Sequence, residues 1–383
     1  MPISNPFVLF RDEISGHQLF LDLPASVIIA NTPESFPHAL ESLEKARSAG
    51  KWLAGYFSYE AGYCLEPCLR SCLPEDRRVP LLCFGVFDGP SENDFFTPGA
   101  YSSASAIHDA KPVWTFETYE RRFRKVRDHL RAGNCYQVNL TFPFEGRWSG
   151  DPIEIFHSLG ERQPVKHAAI VALDNPVLVS RSPELFFKVD SGGFIETHPM
   201  KGTAPRGKNP DEDRKWRRFL ETDPKNQAEN RMIVDLLRND ISRISVPGTV
   251  DVPEIFTIET LATVHQMISK VRARLRPHLT IAEIFSALFP CGSITGAPKI
   301  SAMEILRDLE SVPRNAYCGA IGWMEPNGRM HFNVAIRTIS LFRDGNAVFN
   351  VGGGIVFDSS AEAEYSECLL KARFAMPATQ DFI

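Results

Sequence analysis

Hairpin signals near the carboxyl-terminal end constrain the fold of this chain more than any other feature. Strand-like runs at 317–324, 330–342 and 347–351 are separated by Pro326-Asn327-Gly328 and by Asp344-Gly345-Asn346. Turns this short join antiparallel strands, because a parallel pair needs a crossover of about a dozen residues or more. The pattern predicts an antiparallel sheet and excludes a doubly wound one.

Helix and strand signals alternate irregularly along the rest of the chain. Strands are predicted at 26–30, 52–59, 135–144, 168–173, 177–180, 185–189, 194–198, 250–252 and 263–273, and helices at 35–49, 116–132, 226–239, 281–289 and 299–309. The polar, charged segment 202–217 is predicted to be mobile. The expected fold class is α+β.

The 383 residues allow two domains or one large unit. Residues 1–90 are expected to form a short amino-terminal lobe and 91–114, rich in Ser, Pro, Ala and Asp, a linker. Residues 115–376 are expected to form the main region, either by itself or as one composite domain with the lobe.

Charge and hydropathy exclude several classes of partner. The net charge of −5 and the lack of a basic stripe argue against a nucleic-acid partner. No apolar run approaches the roughly 18 residues that a transmembrane helix needs, and no basic segment precedes the first apolar residues as in a signal peptide. We therefore expect no membrane partner and a cytoplasmic location.

The segment after residue 350 combines a backbone without side chains with charged groups. Gly352 to Gly354 end an apolar run, and Asp358 or Ser359 is predicted to cap the helix that follows. On that helix Glu364, Glu367 and Lys371 share one face. Such a platform can hold an anion together with a hard divalent cation. A glycine-rich turn followed by a solvated acidic helix is the alternative.

A second carboxylate is predicted to point into a core. In the helix 226–239, Glu229 lies on the same stripe as Met232, Ile233 and Leu236. Burying a carboxylate is unfavourable unless it is paired or bound to a metal. A buried salt bridge to an arginine is the alternative.

Six segments, none decisive alone, together resemble the chorismate-utilising enzymes, over about residues 115–374. They are Ser182-Pro183-Glu184, Pro199-Met200-Lys201-Gly202-Thr203, the helix with Glu229, Ile294-Thr295-Gly296-Ala297-Pro298-Lys299, Tyr317-Cys318-Gly319-Ala320-Ile321-Gly322 and the glycine–glutamate stretch at the carboxyl-terminal end. The resemblance implies two antiparallel sheets packed face to face, with helices outside.

The resemblance also implies a chorismate site with a Mg2+ ion held by Glu229 and Glu367. Glu184 would be the general acid that protonates the leaving C4 hydroxyl, with His265 nearby. The substrate-binding groups implied by the family motifs are Gly202, Thr203, Thr295, Tyr317, Arg337, Gly352, Gly353, Gly354 and Lys371. For His265, a purely structural role is equally compatible with its place in a strand.

Two positions discriminate among members of this family. Isochorismate and salicylate synthases carry a water-activating lysine where this chain has Gln137, which favours members that use ammonia. Lys201 stands where anthranilate synthases have alanine, and members that aminate C4 have lysine there. Its amine would attack C2 of the ring as a nucleophile, or serve only as an electrostatic contact. Ser58-Tyr59-Glu60-Ala61-Gly62-Tyr63 also resembles the C4-aminating members.

The expected reaction converts chorismate and ammonia to 4-amino-4-deoxychorismate, a precursor of 4-aminobenzoate and folate, with Mg2+ as cofactor. Because no glutaminase-like Cys–His pair is recognised, the ammonia is expected to come from a separate glutamine amidotransferase subunit. Anthranilate synthesis is the alternative activity. A non-catalytic chorismate-binding protein is the alternative of another class.

Overall fold

The computed structural model describes residues 5–92, 105–261 and 264–376. The strands are β1 Phe7–Arg11, β2 Gln18–Asp22, β3 Ser26–Ala30, β4 Trp52–Phe57, β5 Leu82–Phe87, β6 Ala106–Pro112, β7 Gln137–Ser149, β8 His167–Ala172, β9 Val177–Ser182, β10 Leu185–Val189, β11 Phe194–Thr197, β12 Met200–Pro205, β13 Asp251–Thr260, β14 Val264–Arg274, β15 Gly296–Ala297, β16 Ala320–Met324, β17 Met330–Val334, β18 Thr338–Leu341 and β19 Asn346–Ile355. The α-helices are α1 Ser35–Ser48, α2 Ala61–Leu65, α3 Phe116–Arg131, α4 Pro152–Arg162, α5 Pro210–Thr222, α6 Pro224–Ser242, α7 Ile281–Leu288, α8 Lys299–Leu309 and α9 Ala361–Ala372.

Two antiparallel sheets contain these strands. The first sheet has the order β15-β7-β19-β18-β9-β8-β1-β2, with β6 also paired to β7. The second sheet has the order β12-β14-β11-β10-β17-β16-β4-β5-β3, with β13 also paired to β14. An apolar cluster between the sheets joins Val8 and Ala169 of the first to Tyr56 and Ile321 of the second. The predicted α+β class with two facing antiparallel sheets is confirmed.

Helices cover the outer faces of both sheets. Residues of α3, α4, α8 and α9 share one core with the first sheet, and residues of α1, α6 and α7 share another with the second. In α3 the helical spacing of Tyr119, Phe123, Val126 and Leu130 buries one stripe, and the Thr115 side chain caps the helix. No helix in the described part of the chain is long and apolar enough to cross a bilayer.

Strands from the amino-terminal 90 residues belong to both sheets. β1 pairs with β8 in the first sheet, whereas β4 pairs with β16 in the second. Part of the segment predicted as a linker, Ala106–Pro112, instead forms β6 and pairs with β7. The remainder of that prediction falls mostly on 93–104, outside the described residues.

Two other predictions are corrected by the structure. The run 330–342, predicted as one strand, is divided into β17 of the second sheet and β18 of the first. The chain changes sheets at Arg337, whose φ is 49°. The segment 202–217, predicted to be mobile, contains the end of β12 and the start of α5, whose amino terminus is capped by Asn209.

Candidate active site

The candidate site lies where elements of both sheets and two helices meet. Glu184 lies between β9 and β10, and Lys201 lies on β12. Gly352 to Gly354 form the end of β19 rather than a turn, so the backbone there is extended and paired with β7. Glu229 and Glu367 are carried by α6 and α9.

Glu184 is a buried carboxyl whose side chain forms a single hydrogen bond with the residues that the structure describes. It is 6% exposed, and its Oε1 accepts a hydrogen bond from Ser293 Oγ at 2.7 Å. Burial raises the pKa of Glu184 to about 6, against the lowering effects of the Ser293 hydroxyl and the Lys201 ammonium. A carboxyl with such a pKa is protonated in a useful fraction near neutral pH, as a general acid requires.

Lys201 is an amine whose charge interacts with this carboxyl. It is partly buried, and its side chain forms no ion pair with any described residue. Burial lowers the pKa of its ammonium, Lys371 lowers it further, and Glu184, Glu229 and Glu367 oppose the change. These interactions place all five charged groups in one neighbourhood.

Glycines bring the β19 backbone close to these charged side chains. A Cβ at Gly354 would lie 2.7 Å from Gln137 Nε2 and 3.5 Å from Lys201 Nζ. A Cβ at Gly353 would lie 2.6 Å from Glu364 Oε2. The sequence predicts that another group approaches the glycine backbone closely. In the structure, side chains of the protein itself make such close contacts.

Lys371 joins the β19 backbone to a carboxylate of its own helix. Its Nζ donates to the Gly352 carbonyl at 2.9 Å and pairs with Glu367 Oε1 at 2.8 Å. Burial by itself would raise the pKa of Glu367, but the charge and hydrogen bond of Lys371, together with the charges of Lys201 and Lys225, outweigh it and lower the pKa. Glu367 is therefore a carboxylate at neutral pH.

Glu364 is a third carboxylate in this region. Ser359 Oγ donates to its Oε1 at 2.7 Å. Burial raises its pKa, and Glu367 and Glu229 raise it further, so all three carboxylates interact electrostatically. Glu229 itself is half-buried rather than inserted into the core, whereas its neighbour Asn230 is buried.

The donor set fits Mg2+ as an open site. The three groups are hard oxygen donors, and Mg2+ takes one or two protein carboxylates and keeps several waters. Within 5–92, 105–261 and 264–376, no set of three or more His, Cys, Asp or Glu side chains is already gathered closely enough to enclose a metal. Glu229, Glu364 and Glu367 would hold the ion together with water and substrate, and Mg2+ binding at this position stays a prediction.

Arg337 is the candidate binding residue for an anionic group of a substrate. Its carbonyl accepts a hydrogen bond from Arg181 N at 2.9 Å, next to the strand end that leads to Glu184. Burial lowers the pKa of its guanidinium, and no described residue forms an ion pair with it. An arginine in this state can receive an anion bidentately. Tyr317, predicted to act with it, is buried with 7% of its surface exposed.

Other predicted substrate-binding residues have protein partners. The carbonyl of Gly202 accepts from Gln266 Nε2 at 2.8 Å, and the Thr203 hydroxyl donates to Gln266 Oε1 at 3.0 Å. The hydroxyl of the buried Thr295 donates to the Cys291 carbonyl at 2.9 Å. The structure therefore shows how these residues are held, and their contact with substrate stays a prediction.

His265 is held by groups other than Glu184. Its Nε2 lies 3.0 Å from Asp213 Oδ1 and its Nδ1 lies 3.0 Å from Thr260 Oγ1. Asp213 also accepts from Arg206 Nε at 2.7 Å. The histidine is 1% exposed and joins α5 to β13 and β14. This arrangement favours a structural role, and the predicted catalytic role of His265 has no support in these contacts.

Of two further functional candidates, Ser293 was not identified from the sequence, and Glu364 was indicated only as part of the helix face that it shares with Glu367 and Lys371. Ser293 lies in an unremarkable loop, and nothing in its spacing relates it to Glu184, 109 residues away. Glu364 shares the helix face of Glu367 and Lys371, so its spacing contained the signal. Gln137, recognised only as a discriminating position, is 1% exposed, and its Nε2 has no hydrogen-bond partner among the residues described.

Comparison with known proteins agrees with this arrangement. The family model described as chorismate binding enzyme matches residues 6–377. The chain belongs to this family. Aminodeoxychorismate synthase component 1 of Escherichia coli (strain K12) is 44% identical over 335 residues, which cover 82% of this chain and 73% of that protein. The protein of the same name from Klebsiella aerogenes is 44% identical over 251 residues, covering 66% of this chain and 55% of that protein.

A solved structure shares the fold of this chain. Anthranilate synthase component I from Streptococcus pneumoniae TIGR4 superimposes with a TM-score of 0.78 at 25% sequence identity. The superposition covers 97% of this chain and 91% of that one. The match to the Klebsiella relative, in contrast, spans little more than half of that protein's length.

Proposed function

We propose that this chain acts as an aminodeoxychorismate synthase component 1, converting chorismate and ammonia to 4-amino-4-deoxychorismate. The observation that carries the proposal is Lys201, a partly buried amine that has no ion-pair partner among the described residues and interacts with Glu184. The two relatives with 44% identity support the same reaction by their names. Gln137, in place of a water-activating lysine, supports ammonia over water as the incoming group.

The proposed chemistry uses Lys201 and Glu184 in sequence. The neutral amine of Lys201 forms a bond to C2 of the ring, both ring double bonds shift by one position towards C4, and the C4–O bond breaks. Glu184 gives its proton to the departing hydroxyl, which leaves as water. Ammonia then forms a bond to C4, both double bonds shift back, and the C2–N bond to Lys201 breaks, which returns the free amine of Lys201. The lowered pKa of Lys201 favours the first step, because only the unprotonated amine is a nucleophile.

Charged groups around the two residues account for substrate binding. Arg337, with no ion-pair partner in the described ranges, and Lys371 would receive the enolpyruvyl carboxylate beside Gly352 to Gly354. Glu229 and Glu367, with Glu364 next to them, would hold Mg2+. The ion would neutralise the ring carboxylate and polarise the substrate.

The word component in the relatives' names supports a second subunit, and we propose a glutamine amidotransferase that releases ammonia. The product would serve the formation of 4-aminobenzoate and folate. We also propose a cytoplasmic location, because we propose this metabolic role for the protein.

The test is the product formed from chorismate. The protein is incubated with chorismate, an ammonium salt and Mg2+, with and without a glutaminase subunit and glutamine, and the products are separated and weighed by mass spectrometry. We expect 4-amino-4-deoxychorismate. Fluorescent anthranilate as the main product would instead support the second candidate, anthranilate synthase component I, which the match to the Streptococcus structure favours. Chorismate binding without turnover would support a binding protein.

Lys201→Ala separates the nucleophile from the electrostatic contact. We expect it to abolish C4 amination while chorismate affinity falls by no more than about tenfold, because one charge contact of several is lost. The matched control is Lys270→Ala, which removes a lysine that pairs with Glu254 on the second sheet. An equal loss of affinity and turnover in Lys201→Ala would favour the contact role.

A further inference from the structure

Ser293 contacts the candidate acid on one oxygen only. Its Oγ lies 2.7 Å from Glu184 Oε1 and 3.2 Å from Cys291 Sγ, and both Ser293 and Glu184 are almost fully buried. A carboxylate oxygen is a strong acceptor and a thiol sulfur a weak one. The serine hydroxyl therefore donates to Glu184, and the Cys291 thiol donates to the serine oxygen.

The loop that carries Ser293 is fixed by packing and hydrogen bonds. A Cβ at Gly292 would lie 2.3 Å from Leu236 Cδ2 of α6, so only glycine allows this close contact. The Thr295 hydroxyl donates to the Cys291 carbonyl at 2.9 Å and closes the turn. The hydroxyl of Ser293 therefore has little freedom to leave Glu184.

Glu184 is fixed just as firmly from its backbone. Its N–H donates to Ser182 Oγ at 3.2 Å, and its carbonyl accepts from Val334 N at 3.1 Å. Its Oε2, in contrast, has no hydrogen-bond partner among the residues that the structure describes. One carboxyl oxygen is therefore occupied by the protein and the other is available to a ligand.

We propose that Ser293 is the positioning residue of Glu184, which holds Oε1 as an acceptor so that the carboxyl proton is carried by Oε2. This inference rests on the proposed function, in which Glu184 protonates the departing hydroxyl. A carboxyl proton occupies the oxygen that is not already accepting a strong hydrogen bond. Ser293 would thus direct the proton to the oxygen that is available to the substrate, without touching the substrate itself.

The experiment compares Ser293→Ala with Ser301→Ala in the full-length protein. Ser301, near the start of α8, is the matched control, because its hydroxyl donates to the Asn134 carbonyl and not to Glu184. The carboxyl band of Glu184 is isolated by infrared difference spectra against Glu184→Gln and titrated from about pH 5 to about pH 8. The pH profiles of kcat and KM with chorismate and ammonia are measured in parallel.

For Ser293→Ala we expect kcat near neutral pH to fall by about tenfold or more, with KM changed less than about threefold. Loss of a donor to the carboxylate disfavours the ionised form, so the infrared midpoint and the alkaline limb of kcat should both move up by about half a pH unit or more. An infrared midpoint equal to that of Ser301→Ala would overturn the inference. A raised KM together with an unchanged alkaline limb of kcat would also overturn the inference, because that result indicates that Ser293 contacts the substrate. A wild-type protein that forms no aminated product would refute the proposed function alone, because the infrared titration does not need turnover.

Discussion

Gly354→Ala should separate activity from stability, because the space beside Gly354 is occupied by movable side-chain ends. The added Cβ would lie 2.7 Å from Gln137 Nε2 and 3.5 Å from Lys201 Nζ. Turning the Gln137 amide away costs about 0.5–1.5 kcal/mol if it leaves its rotamer. Replacing glycine at a compatible backbone position returns about 0.4–1 kcal/mol through the unfolded chain. The net loss of stability should therefore be below about 1 kcal/mol.

Gly352→Ala is the informative comparison on the same strand. Its Cβ would lie 2.6 Å from Thr141 Cγ2 and 2.7 Å from the backbone oxygen of Leu140, which cannot turn away. Overpacking of this kind costs about 1–3 kcal/mol. Gly89→Ala serves as the control, because no atom lies within 4 Å of its added Cβ. We expect the melting temperature to fall most in Gly352→Ala and little in the other two variants.

The activity of Gly354→Ala should fall despite this stability. Displacement of the reacting groups by about 1 Å can reduce the rate by about 10²-fold. We therefore expect kcat/KM for chorismate to drop by about that factor, while Gly89→Ala stays near the wild type. The reasoning is refuted if Gly354→Ala keeps wild-type kcat/KM, or if it destabilises the protein as much as Gly352→Ala does.

Four further variants concern three carboxyls and a histidine. Burial raises the pKa of Glu60 to about 7, so the protonated carboxyl stabilises the fold below the pKa of the unfolded chain, and this contribution is lost as the pH rises through about 7. Because Glu60→Gln stays neutral, its free energy of unfolding, measured with urea, should come to exceed that of the wild type by up to about 3 kcal/mol as the pH is raised from about 5 to about 8. Glu367→Gln should weaken the Mg2+ dependence of chorismate binding in calorimetric titrations by about tenfold, and an unchanged titration would remove Glu367 from the proposed ion site. Glu364→Gln should do so less, because Ser359 already holds one of its oxygens. His265→Ala should lower the melting temperature but reduce kcat by less than about tenfold, whereas a far larger loss of kcat in a stable variant would restore its catalytic role.

The fold could be predicted from the sequence wherever local chemistry decides the structure. Helix α8 begins at Lys299 and ends at Leu309 as predicted, because Pro298 and the apolar spacing define it. The change of sheet at Arg337 could not be predicted, because strand-forming residues continue on both sides and only tertiary packing divides them. Helix α5 was missed for a related reason: it buries a single residue, Leu220, and otherwise looks like a polar loop.

The candidate site shows the same division. Spacing along α9 identified Glu367 and Lys371, because residues three and four apart share a helix face. The helix cap was predicted at Asp358 or Ser359, but Ser360 caps it and the Ser359 hydroxyl holds Glu364 instead. Which serine caps the helix and which one bonds to Glu364 depends on the geometry of the turn before the helix. Residue spacing in the sequence does not specify that geometry.

The glycines of β19 show why such a site is compatible with a stable sheet. Glycine weakens a strand interior by about 0.5–1 kcal/mol relative to alanine, so three in succession are unfavourable by themselves. All ten residues of β19 nevertheless pair with β7, from Asn346 opposite Arg147 to Ile355 opposite Val138. Where Cβ atoms would stand, the structure places Thr141, Glu364 and Gln137 instead. The ladder offsets the loss from the glycines, and the space they leave allows charged and polar groups to reach a backbone that side chains would otherwise cover.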